Sequence, residues 1–122
     1  MATLTTQVAS LAGLTPAYGA ANAGGDNFVP DVDTYLHVKN TNASPKTVVV
    51  ATPHTDVGGL AITDVSVSVP ATTGEKIIGP FPAEEFGDPN GTPKGNAFIT
   101  YTPDATGVTI AVVQIPRPIS GT

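Results

Sequence analysis

Valine and threonine set the rhythm of this chain. From residue 34 onward, short apolar stretches recur at intervals of about eight to twelve residues, separated by glycine, proline, asparagine and aspartate, as in strands joined by tight turns. Thr34–Thr41 puts Leu36 and Val38 on one face, with Tyr35, His37 and Lys39 on the other. Asn42-Ala43-Ser44-Pro45 then turns the chain. Lys46–Thr52 carries Val48-Val49-Val50, apolar on both faces, which predicts a strand inside a sheet. Thr63–Val69 alternates Val65, Val67 and Val69 against Asp64, Ser66 and Ser68, so one face is dry and the other wet. Ala71–Gly74 predicts a turn and Glu75–Gly79 a short strand. One helical turn fits Pro80–Gly87, ahead of a turn at Asp88-Pro89-Asn90-Gly91. Asn96–Thr102 and Gly107–Ile115 read as the last two strands, joined like a hairpin through Pro103-Asp104-Ala105-Thr106. Pro116 and Pro118 then end the pairing.

The first quarter reads differently. Residues 1–33 are rich in alanine, glycine and asparagine, and Gly13 and Pro16 cut short any helix over Val8–Leu14. The pattern predicts an N-terminal arm over residues 1–33, ahead of a β domain over residues 34–122. Such an arm either packs loosely, with one short strand, or becomes ordered against a neighbouring subunit. Leu4, Leu11, Tyr18 and Phe28 are the side chains it offers a partner, although Tyr18 and Phe28 equally suit anchoring the arm to its own domain. The β domain is expected to fold without residues 1–27. Strand following strand without intervening helices makes the fold all-β. The expectation is an antiparallel β-sandwich or barrel-like domain of about six to seven strands with an N-terminal arm.

Composition narrows the function. A chain of 122 residues forms one core, and without cysteine it has no disulfide, no thiolate nucleophile and no cysteine zinc site. Only 12% of residues are charged, the net charge is −5, and the few lysines and the arginine are scattered singly. Nucleic acid and anionic membranes are therefore not expected as partners. No run approaches the roughly 20 apolar residues of a membrane span. The N-terminus lacks the basic start and apolar core of a secretory signal, so synthesis in the cytoplasm is expected.

A search for chemistry finds little. There is no G-x-S-x-G elbow and no phosphate-binding loop, since Gly24-Gly25-Asp26 lacks the lysine and the following helix. His54-Thr55-Asp56 is the best metal candidate, because alternate residues on a strand point the same way, but two ligands suit a hydrogen-bonded turn better. Asp31-Val32-Asp33 lacks the glycine and terminal glutamate of a calcium loop. Glu84-Glu85 reads as a solvated turn rather than the acid pair of a glycosidase. With no tryptophan the chain is poorly suited to stacking sugars, and Phe98 and Tyr101 read as core or sheet-face residues. No catalytic residue, metal or cofactor is assigned, and a non-enzymatic binding or structural role is expected.

One resemblance is carried by order and spacing. Gly24-Gly25-Asp26 precedes Thr34-Tyr35-Leu36-His37-Val38-Lys39-Asn40, then Ser44-Pro45, Thr47-Val48-Val49-Val50 and Thr52-Pro53. Val65-x-Val67-x-Val69-Pro70-Ala71 and Ile78-Gly79-Pro80-Phe81-Pro82 follow. Together these resemble small virion structural proteins of tailed bacteriophages, of the capsid decoration or cement type. The resemblance implies a β-sandwich-like protein that binds the outer surface of an icosahedral head, contacts the major capsid protein and forms homo-oligomers, with a trimer favoured. It carries over no catalytic or cofactor residues. A tail or head–tail connector role, or a carbohydrate-binding module, stands as the alternative.

Overall fold

The computed structural model describes residues 2–53, 56–57, 60–61, 64–91 and 93–115. Its strands are β1 (Ala2–Thr3), β2 (Thr6–Val8), β3 (Gly19–Ala20), β4 (Asp26–Phe28), β5 (Thr34–Asn40), β6 (Lys46–Val50), β7 (Asp56–Val57), β8 (Leu60–Ala61), β9 (Val65–Val69), β10 (Gly74–Ile78), β11 (Ala97–Thr102) and β12 (Val108–Gln114). A single helical turn, α1 (Ala83–Phe86), precedes β11. One sheet has the order β1-β4-β11-β6-β9, and the other β10-β5-β12-β2 with β3 also on β12. The two sheets pack as a sandwich and do not close into a barrel. β7 and β8 form a separate small hairpin.

The alternation read from sequence is realised where strands are long. In β5, Thr34, Leu36, Val38 and Asn40 are buried while Tyr35, His37 and Lys39 are half-buried on the outer face. β6 lies inside its sheet, between β11 and β9, as its triple valine predicts. Leu36, Val38, Val48, Val50, Val69, Ile99, Ile110 and Val112 fill the space between the sheets. Burying a side chain of this size contributes roughly 1.5–3 kcal/mol. Phe81 caps this core between two other rings, 5.3 Å from Phe28 and 5.1 Å from Phe86, both edge to face.

The all-β sandwich is as the sequence predicts, and several details differ. Residues 1–33 are not a loose leader, because β1, β2, β3 and β4 are all built into the two sheets. β1 runs parallel to β4, and β2 parallel to β12, so the N-terminal segment completes one side of both sheets and the pairing there is not antiparallel. Val8–Leu14 forms no helix, since Thr6–Val8 pairs with Val112–Gln114 and Gly13 then turns the chain at φ +92°. The open backbone edge of β12 offers more bonds than a helix that Gly13 and Pro16 cut short. β11 and β12 are not a hairpin, because β11 pairs with β4 and β6 while β12 pairs with β5. Their connection passes from one sheet to the other. Gly107 permits it with φ +79°, where an added Cβ would meet the Asn42 backbone nitrogen at 2.8 Å. The strand number exceeds the expected six to seven because the additions are only two or three residues long. Pro116 and Pro118 lie outside the described residues.

Buried polar groups lock the N-terminal residues in place. Asp26 is fully buried and accepts hydrogen bonds from the Tyr101 hydroxyl at 2.7 Å and from the backbone and side chain of Asn22 at 3.1 and 3.0 Å. Burial first, and then the Asp26 carboxylate, push the Tyr101 phenol well above its ordinary pKa, so it stays a donor. Asn27 Oδ1 accepts from Thr3 and from Asn96. Residues 1–27 are thus bonded to the rest of the domain at buried positions. At one end of the sandwich, buried Asn40 donates toward the carbonyls of Ser44, Val69 and Pro70 and accepts from the Asn42 amide. Every described buried side-chain polar atom has a partner.

Candidate binding surface

After leaving β2 the chain turns back and rejoins the same edge of β12 at β3, a crossing of residues 9–18 along that edge. Gln7 holds that crossing with both ends of its amide, donating to the Ala17 carbonyl and accepting from the Ala17 amide, each at 2.8 Å. Tyr18 then lies over β5. Its hydroxyl bonds His37 Nδ1 at 2.5 Å, and His37 Nε2 bonds Glu75 Oε2 at 2.6 Å. A neutral imidazole with its proton on Nε2 satisfies both contacts, accepting from tyrosine and donating to glutamate. The Lys39 ammonium sits 4.2 Å from the centre of the Tyr18 ring and 3.9 Å from the same Glu75 oxygen. Ala111 is almost fully buried although it pairs with outward-facing His37. A groove of about 390 Å³ remains between the crossing and the sheet, lined by Leu4, Gln7, Ala17 and Ala111 among others.

A hydroxyl, an imidazole and a carboxylate in sequence also describe a nucleophile with its base and orienting group. Here the hydroxyl belongs to a phenol engaged beneath a lysine. The neighbouring cleft of about 320 Å³ is lined by Lys39, Asn40, Thr41 and Thr72–Glu75, not by Tyr18 or His37. The arrangement acts as a clasp that fixes the crossing to the sheet.

The side chains expected to meet a partner separate into distinct environments. Phe28 lies wholly inside the core against Phe81, so it anchors its own domain and presents nothing outward. Leu4 is half-buried and packs on the core. Tyr18 belongs to the clasp. Leu11 alone stands clear, at 109% exposure on a turn, above a cleft of about 270 Å³ lined by Ala9, Ser10, Leu11 and Ile115. Val8 and Ile115 are also about half exposed. Sequence reasoning missed the roles of Gln7 and His37. The outward alternation of His37 with Lys39 was the only signal for the second, and none existed for the first.

Other candidates dissolve into local structure. Asp31 caps its own turn by accepting from the Val32 amide, and Asp33 accepts from Gln114. Glu84 and Glu85 are exposed in the first turn of α1. His54 and Thr55 lie outside the described residues. Among the described residues no three His, Cys, Asp or Glu side chains gather to hold a metal ion, and no helix is long and apolar enough to cross a membrane. No protein-family model, curated protein or solved structure matches the chain.

Proposed function

We propose that this protein is a non-enzymatic structural component that decorates the outer surface of an icosahedral phage head, binding the major capsid protein and reinforcing the shell. The observation that carries the reading is Leu11, fully exposed on a turn, with half-exposed Ile115 lining the same cleft. Exposed apolar side chains suit a protein surface better than a small molecule. The acidic net charge agrees with an outward position, away from packaged DNA. The order of motifs from Gly24 to Pro82 supports the same assignment by resemblance.

Undecorated heads incubated with the purified protein provide the test. The expected result is saturable binding, weakened at least about tenfold by Leu11→Asp, a change that leaves the fold intact because Leu11 touches no core. Absence of saturable binding by the unaltered protein refutes the proposal.

A further inference from the structure

Both β9 and β10 end their sheets on the side opposite the N-terminal segment, and their outer edges differ. β10 carries Glu75 and Lys76, both exposed, the charged edge that discourages strand addition. β9 reads Val-Ser-Val-Ser-Val, with no charge and no proline. Its inward Val65 and Val67 pack on the core yet stay only half-buried, while Val69 is fully buried.

The ladder fixes which peptide groups are unused. Ala51 N donates to Phe98 O at 3.0 Å, so alternation along β6 turns Val48 and Val50 toward β9. Val65, Val67 and Val69 therefore bond β6, and the N–H and C=O groups of Ser66 and Ser68 face outward. Among the described residues no backbone group pairs with them.

We infer that β9 is a homotypic docking edge, at which a second copy of this chain adds its own β9 antiparallel to form one continuous sheet. The strand is a palindrome about Val67. In the two-fold register Val67 meets Val67, Val65 meets Val69 and Ser66 meets Ser68, so apolar faces apolar and hydroxyl faces hydroxyl throughout. Ser66 and Ser68 form the hydrogen-bonded pairs, using the peptide groups that β6 leaves unused. The two Val67 side chains meet in the close, non-hydrogen-bonded position and cover the valines that stay half-exposed. Charge favours this edge over its neighbour. Asp64 opposes an uncharged Pro70 and is already held by Thr52, whereas β10 paired on itself about its centre would set Lys76 against Lys76. Pro70 lacks an N–H, which ends the ladder after Val69.

Sedimentation equilibrium from micromolar to millimolar protein reads the association. The wild type should pass from monomer to dimer. Ser66→Lys with Ser68→Lys sets lysine against lysine twice and should weaken the dimer roughly tenfold. Ser66→Asp with Ser68→Lys sets opposite charges in the same positions and should restore it. Because the chain has no cysteine, Val67→Cys supplies an independent reading and should form a disulfide-linked dimer on mild oxidation, whereas Thr106→Cys on the far connection should not. A wild type that stays monomeric throughout, or a dimer indifferent to the paired lysines, overturns the inference. So does Val67→Cys that links no better than Thr106→Cys.

Discussion

The two sides of the sandwich are finished in opposite ways. On one side the chain closes its own edges, with β1 added to one sheet and β2 to the other by a segment only a few residues long. On the other side β9 and β10 are five residues each and end their sheets with nothing described beyond them. The closed side depends on residues that look unstructured in sequence, and the open side is built from the most regular strand in the chain. Regularity along a strand therefore does not tell whether its edge is covered.

Three substitutions test this contrast. Phe28→Ala strikes the closed side hardest, because it removes a ring packed on Phe81 beside β1. It should lower stability by about 3–5 kcal/mol in denaturant unfolding. Val67→Asp strikes the open side and should cost less, about 1–3 kcal/mol, since a half-exposed edge position lets the carboxylate reach water. If Val67→Asp proves the more damaging, the open side is not open. The smallest effect belongs to the end of the sandwich, where the nearly buried Lys46 ammonium reaches the exposed Asp104 carboxylate at 2.6 Å. That lysine, with help from the Thr106 amide, holds the Asp104 carboxyl below its ordinary value of 3.8. A carboxylate lowered on folding stabilises the protein above its ordinary pKa and loses that contribution as pH falls through the folded value. Unfolding midpoints compared at neutral pH and in acid below 3.8 should therefore fall less steeply for Asp104→Asn than for the wild type.

Most of the body is legible in the sequence because burial there has a period. β5 and β9 announce their inward faces by alternation, β6 announces its place inside a sheet by valine on both faces, and the turns between them carry asparagine, proline and glycine. Partners are less legible than strands. Pro103–Thr106 has the composition of a hairpin, and only the pairing of β11 with β4 and β6 shows that it spans two sheets. Strands of two or three residues have no period to read, so β1, β2 and β3 exist only through the edge they join. Phe28 illustrates the same limit. An aromatic beside glycine and asparagine looks like an outward anchor until Asp26 is seen bonded to Tyr101 behind it. Of the four side chains expected to face a partner, only Leu11 stands fully clear of the fold.

The parallel pairing of β2 with β12 joins Thr6–Val8 to Val112–Gln114, far apart in sequence. On the ribosome, Thr6–Val8 emerges early and has nothing to bind until Val112–Gln114 has been made. Thr6–Val8 is thus made well before the strand that it pairs with. A nascent chain arrested before β12 should leave Thr6–Val8 open to protease, and a chain that includes β12 should protect it.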